Sequence, residues 1–360
     1  MSPTVPGSMS LTDARRGFSV EPGYLDTASV GAPPDVVIEA MGAALTAWQR
    51  GRARPQDYDG AVTEARASFA RLVNVSADDV CVGSQVSALV GMIAASLPDG
   101  ARVLAVDGEF TSAIFPFLAH GSRNIETVFV PLRGLADAID ARTDLVAFSA
   151  VQSADGAVAD LGSIAAAASF HGVKTLVDTT QACGWLPFDA SLFDVTVCSA
   201  YKWLLSPRGT AFMTVRPSML DGIRPLAAGW YGGEDIWSSI YGPPLRLATT
   251  ARRLDVSPAW LCWVGTAPAL ALIEQVGIDT VHAHDVALAN RVRLGLGMER
   301  SDSAIVRVES PTAAAALASA DIRASTRAGA VRLAFHLTNT VEDADRVIDV
   351  VTSAAAADGP

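Results

Sequence analysis

Residues 197–213 read VCSAYKWLLSPRGTAFM, and an upstream stretch, 176–181, reads LVDTTQ. In both, a short apolar and β-branched run gives way abruptly to polar residues with reactive side chains. Continuous apolar runs of this length are the signature of strands buried on both faces. Chemistry in an open α/β sheet gathers just past the carboxyl ends of such strands. Asp178 closes one run, and an Asp at the tip of a buried strand is costly without a partner. Lys202 stands just past the other, flanked by Tyr201 and Trp203. Poor solvation there lowers the lysine pKa and makes its amine a usable nucleophile.

Working outward, five more runs have the same texture: Asp79–Val82, Val103–Asp107, Thr127–Pro131, Leu145–Val151 and Ala211–Val215. With Thr175–Asp178 and Val195–Cys198 they make seven, mostly separated by helix-length stretches such as Val86–Leu97 and Leu161–His171. That alternation predicts an α/β fold with a mainly parallel seven-stranded sheet. Residues 218–260 are rich in Gly, Pro and Trp and read as loop; Trp230, Tyr231 and Trp237 suggest a roomy lid or a dimer contact. Helices at Ala269–Val276, Thr280–Leu294 and Val341–Ala354, with strands at Ala304–Val308 and Val331–Ala334, make a small C-terminal α+β domain. The expected division is a flexible tail over 1–18, a large domain over 19–265 and a small domain over 266–360.

Half of the 360 residues are apolar, which excludes a disordered chain, and the length suits about two domains. Lys and Arg total 27 against 38 Asp and Glu, a net charge of −11. This balance argues against nucleic acid or an anionic membrane as the main partner. No apolar run reaches the roughly 18–20 residues of a membrane helix. Cys81, Cys183, Cys198 and Cys262 form no CxxC pair and read as free thiols of a cytoplasmic protein. The first residues lack a signal-peptide apolar region, and Met9 is a second candidate start. The closing AAAADGP reads as frayed. His282 and His284 are two apart on a helix, so they do not face each other; they read as solvated, and no metal site is expected.

A third stretch, VGSQVSALVGMIAASL at 82–97, opens a helix behind Gly83, Ser84 and Gln85. Free backbone N–H groups and the positive end of a helix dipole suit a phosphate. Phosphate cup, then Asp178, then Lys202 is an order that fits pyridoxal phosphate, which needs a lysine for its Schiff base and an acid beside its pyridine nitrogen. Singly each is weak: strand-end aspartates often cap turns, and a Lys beside a Trp is often a surface stem.

With these residues in place the chain resembles the class V aminotransferase family of fold-type I pyridoxal-phosphate enzymes, which includes cysteine desulfurases, isopenicillin N epimerases and hercynylcysteine sulfoxide lyases. The resemblance runs from about Tyr24 to Val351. It rests on YLDTASVGAPP at 24–34, EFTSAIFPF at 109–117, DTTQ with SAYKWLLSPRGTAFM, and RAGAVRLAFHLTNT at 327–340. It implies that Lys202 holds the cofactor as an internal aldimine and shuttles the Cα proton. Asp178 would meet the pyridine nitrogen and Gln181 the phenolic oxygen. Ser84, Gln85, Ser199 and Tyr201 would hold the phosphate, joined by Ser257 of a partner copy, and Phe110 would stack on the ring. Arg332 would clamp the substrate carboxylate. The resemblance also implies a homodimer with shared active sites and an amino-acid substrate.

Two departures bear on the reaction. Desulfurases carry a nucleophilic Cys between the C-terminal arginines, whereas here Arg327 and Arg332 are separated only by Ala-Gly-Ala-Val, and no Cys follows Cys262. Ser153 stands where the family has an Asn near cofactor and substrate. The first departure disfavours persulfide-forming desulfuration; by analogy with relatives of this short form, the resemblance implies a C–S lyase acting by β-elimination on an S-substituted cysteine, with transamination or epimerisation as the alternative. A nucleotide-binding sheet would need a GxGxxG that is absent, and a non-catalytic relative would need neither Asp178 nor Lys202.

Overall fold

The computed structural model describes residues 8–357. Ten strands form two sheets. The first seven are β1 (Val80–Gly83), β2 (Arg102–Val106), β3 (Glu126–Val130), β4 (Leu145–Ser149), β5 (Lys174–Asp178), β6 (Val195–Ser199) and β7 (Ala211–Val215). Their order is β1-β7-β6-β5-β4-β2-β3, and β7 runs opposite to the other six. The sheet is the mainly parallel seven-stranded one expected, each strand lying within a few residues of its apolar run.

Strand periodicity explains the two cores. Side chains alternate between faces. Val146 and Phe148 of β4 point into one apolar cluster, with Phe69, Phe212 and Trp263; Leu145 and Ala147 point into the other, under the helix Val86–Ser96. Both faces are covered, so the strands carry almost no polar residue until their ends. The helix Leu161–His171 stops where expected, at Gly172, whose left-handed φ of 69° suits a residue without Cβ.

Three further strands, β8 (Ile305–Val308), β9 (Ser325–Arg327) and β10 (Ala330–Ala334), form an antiparallel sheet in the order β8-β10-β9. β9 was not expected: it is short, polar at all three positions and exposed at two, so it has no apolar run to announce it. Residues 24–26 join this sheet region through parallel bridges from Tyr24 to Arg323 and from Asp26 to Ala334, and Leu25 is buried in the small core with Phe335.

Two expectations about boundaries differ from the structure. Residues 11–15 of the supposed tail are helical, Ala14 is fully buried, and the Met9 N–H donates to the Gln275 carbonyl at 3.0 Å. Residues 1–7 and 358–360 lie outside the described residues. The expected 265/266 boundary falls inside the helix Trp260–Val276, which begins well before Ala269 because Pro268 is tolerated within it. That helix packs Trp263 and Leu270 into the same apolar cluster as Phe69 and Phe212.

The aromatic loop is also placed differently from a lid. The Tyr231 hydroxyl and the Trp237 indole N–H both donate to Asp59, at 3.1 and 3.0 Å, and Tyr231 is buried. This ties the loop to the helix Gln56–Leu72, and none of the three aromatic residues lines this chain's own cavity. Among the described residues no single helix is long and apolar enough to cross a membrane.

Candidate active site

The carboxyl ends of β1, β4, β5 and β6 meet around a cavity lined by Ser84, Gln85, Phe110, Asp178, Gln181 and Lys202, with Ser153, Ser199 and Tyr201. Nine of the eleven residues singled out from the sequence thus come together. Arg332 sits one contact behind: its Nη1 donates to the Ser153 carbonyl at 2.7 Å and to Ser153 Oγ at 3.1 Å, and its Nη2 donates to Ser29 Oγ at 2.8 Å. Ser257 is exposed and does not line this chain's cavity.

Lys202 lies on the turn that leaves β6. The turn is held by unusual backbone. Leu205 has a φ of 53°, rare for a branched residue, and its N–H donates to the Lys202 carbonyl. Gly31 lies so close that an added Cβ would stand 1.9 Å from that same carbonyl. Its N–H donates to the Tyr201 carbonyl at 2.8 Å. The N-terminal segment thereby clamps the lysine turn from outside.

Lys202 is buried, with Nζ 5.4 Å from the Phe110 ring centroid and 5.8 Å from that of Tyr201. Burial pushes its pKa down to about 8; Asp178 opposes this and the Arg332 charge adds to it. Asp178 is pushed up to about 6, again by burial, even though one carboxylate oxygen accepts the Thr180 N–H at 2.8 Å. Gln181 donates from Nε2 to the Ala28 carbonyl and to Ser153 Oγ, linking β5 to both the N-terminal segment and the Arg332 site.

Sequence reasoning missed several members of the site. Glu109 is buried and accepts from the Ser149 N–H (2.7 Å), Ser149 Oγ (2.6 Å) and Gln152 Nε2 (3.0 Å), which ties the end of β4 to the turn bearing Phe110. Its signal was its place directly before Phe110. Arg208 lines the cavity with its guanidinium carbon 5.0 Å from the Tyr201 ring centroid, on the face of that ring. Its signal was the Pro-Arg-Gly that follows Lys202. Val86, Ser87, Ser112, Ser149 and Thr180 complete the lining, and small hydroxyl residues carry too little signal to be found alone.

The histidines expected to be solvated are not. His282 stacks on Trp185 at 5.8 Å, and His284 is packed against Arg15 and pushed down to about 4 by burial and that positive charge. His284 packs against the N-terminal helix and His282 against the core, which the local polar composition does not reveal.

These residues fit pyridoxal phosphate. The helix Val86–Ser96 has no side-chain cap at Gln85, which leaves first-turn N–H groups for an anion beside Ser84 and Ser87. A buried carboxyl with a raised pKa suits a protonated pyridine nitrogen. A buried lysine with a lowered one suits a carbonyl carbon. Arg332 is 1% exposed and its Nε has no partner among the described residues, an arrangement that leaves hydrogen-bonding capacity for a ligand.

Comparison with known proteins agrees. The family described as Aminotransferase class-V matches residues 23–304. The uncharacterized aminotransferase YcbU of Bacillus subtilis is 27% identical over 311 residues, covering 80% of this chain and 82% of that protein. The isopenicillin N epimerase of Streptomyces clavuligerus is 25% identical over 272 residues, covering 69% and 67%. A solved structure of the cystine C–S lyase C-DES, in complex with cysteine persulfide, superposes with a TM-score of 0.83 at 22% identity, covering 92% and 97% of the two chains; at that identity it speaks for the fold alone. The matched family, the superposed fold and a cavity that suits the cofactor's phosphate, ring and carbonyl together make this chain a member of the class-V aminotransferase family of pyridoxal-phosphate enzymes.

Proposed function

We propose that the enzyme is a carbon–sulfur lyase that eliminates a thiol from an S-substituted cysteine. One observation supports this above the others: among the residues lining the cavity, Lys202 is the only amine and no cysteine joins it. Burial raises the Tyr201 pKa, and Asp178 is engaged by Thr180, so Lys202 is the group poised to move a proton near neutral pH. A two-base epimerisation needs a second such group, and persulfide transfer needs a thiol. In place of a thiol-bearing loop, β9 and β10 are joined by Ala328 and Gly329 alone.

When bound, pyridoxal phosphate supplies an electron sink for the pair left as a proton departs from the substrate's Cα. Lys202 takes that proton and passes it to the leaving sulfur. The Cα–H and Cβ–S bonds break, the thiol leaves, and the released 2-aminoacrylate takes up water to give pyruvate and ammonia. Arg332 orients the α-carboxylate through its planar fork, steadied by Ser29 and Ser153. Asp178 would hold a proton at the pyridine nitrogen, and Gln181 would give the phenolic oxygen the N–H that otherwise meets Ser153 Oγ. Ser84, Gln85, Ser199 and Tyr201 hold the phosphate, with Ser257 reaching it from a second copy in a homodimer. Phe110 stacks on the ring. The four free cysteines suit a cytoplasmic enzyme.

Transamination is the second reading, favoured by the likeness to YcbU, since it too uses a single lysine base. One experiment separates the two. The loaded enzyme is given S-alkylcysteines and their sulfoxides, with and without an α-keto acid. Pyruvate with a stoichiometric thiol from the S-alkylcysteines, or a stoichiometric sulfenic acid from their sulfoxides, lost in Lys202→Ala, is the expected result. Keto-acid-dependent amino transfer without thiol release would replace the lyase reading by the aminotransferase one.

A further inference from the structure

We propose that Trp203 is a positioning residue that fixes which way round the Gln181 amide sits, and so presents its NH2 end to the cofactor. A glutamine amide has an acceptor oxygen and a donor nitrogen of nearly equal size, so packing alone leaves its sense open. An indole N–H can only donate. Trp203 Nε1 donates to Gln181 Oε1 at 2.8 Å, and both residues are buried. The oxygen is thereby drawn away from the cavity. The nitrogen faces the Ala28 carbonyl at 3.0 Å and Ser153 Oγ at 3.1 Å, and the second N–H is the one that turns from Ser153 to the cofactor. A flipped amide would set N–H against N–H at Trp203 and carbonyl against carbonyl at Ala28, two unsatisfied contacts in a buried site.

Trp203 is itself held from three sides. Its ring is fully buried, 5.6 Å from the Trp185 ring and 5.3 Å from that of His336, which meets it edge-on. Its carbonyl faces His336 Nε2 at 3.0 Å, while His336 Nδ1 faces Asp285 at 2.8 Å. Gly184 approaches so closely that an added Cβ would lie 2.3 Å from the Trp203 carbonyl oxygen. A continuous line of contacts therefore runs from Asp285, on the helix Ile278–Gly295, through His336 and Trp203 to the amide in the cavity.

This inference rests on the assignment of Gln181 to the phenolic oxygen. A donor at that oxygen stabilises its ionised form and lowers the pH at which the visible absorption band of the loaded enzyme fades. The midpoint of that fading is measured in Trp203→Phe, Gln181→Ala and the double variant. Each single change should raise it by about 0.5 unit or more, roughly threefold in proton affinity, and the double variant should lie no higher than Gln181→Ala. If Gln181→Ala leaves the midpoint in place, the Gln181 assignment itself fails. If it raises the midpoint while Trp203→Phe does not, or if the Trp203→Phe shift persists in full without Gln181, Trp203 is not the orienting group. Should Trp203→Phe not fold, the indole proton of Trp203 is followed by nitrogen-15 NMR: it moves upfield in Gln181→Ala if the contact is as described, and an unmoved resonance overturns it.

Discussion

Lys202, to which most of the proposed chemistry is assigned, also weakens the unloaded protein. Its folded pKa of about 8 lies below the ordinary lysine value, so the folded state releases its proton before the unfolded chain does. Between about pH 8 and pH 10.4 the unfolded state binds more protons, and stability therefore rises with pH across that window. Below it, the buried charge is a full penalty. Lys202→Met should raise the melting temperature of the cofactor-free protein at pH 7, with the gain shrinking toward pH 10, as read by thermal melts across pH. Arg208 makes a separate prediction. It is the cation beside Tyr201 among the cavity residues assigned to the phosphate, in a chain of net charge −11. Arg208→Ala should weaken pyridoxal phosphate binding about tenfold, near 1.4 kcal/mol, and leave pyridoxal, which lacks the phosphate, unaffected. Equal losses for both would place Arg208 outside the phosphate site.

At the scale of elements, the site depends on close backbone approach and on one buried ion pair. Gly31→Ala would drive a methyl into the Lys202 carbonyl, so the visible band of the loaded enzyme should be lost or strongly reduced, even if the sheet forms. Arg66 and Asp255 are both buried, with Nη2 to Oδ2 at 2.5 Å, and Asp255 also accepts the Val82 N–H at 2.8 Å. This pair fastens the Ser257 segment to β1, immediately before Ser84 and Gln85. Asp255→Asn keeps the shape but leaves a buried guanidinium without its counter-charge, at a cost of about 3–5 kcal/mol in denaturant unfolding. The β9–β10 hairpin turns through two left-handed residues, Ala328 at φ 46° and Gly329 at φ 78°. Ala328→Gly should relieve strain and stabilise by about 0.5–1 kcal/mol, despite the added freedom of the unfolded chain.

At the scale of the whole molecule, the position of Ser257 gives a test of assembly. It is exposed here yet assigned to a phosphate, which a second copy would bring to it. If sites are shared, mixing Lys202→Ala chains with Ser257→Asp chains, each inactive alone, should restore about a quarter of full activity, since half the dimers are mixed and each holds one intact site. No recovery would confine each site to one chain. The seven strands and the three stretches bearing the phosphate cup, Asp178 and Lys202 were legible in the sequence, because buried strands demand unbroken apolar runs and a polar residue at their ends stands out against them. Glu109 and Arg208 were within reach but unmarked, since a charged residue in a turn looks the same whether it faces solvent or a cavity. β9, the packed N-terminal helix and the burial of His282 and His284 were not legible, since each depends on a surface supplied by residues far away in the chain. The sequence by itself determined the sheet, its order of chemistry and the family. Only the tertiary structure decided the pKa of Lys202, the orientation of Gln181 and the joining of Ser29, Ser153 and Arg332, because burial and hydrogen-bond partnership belong to the folded arrangement and not to any one segment.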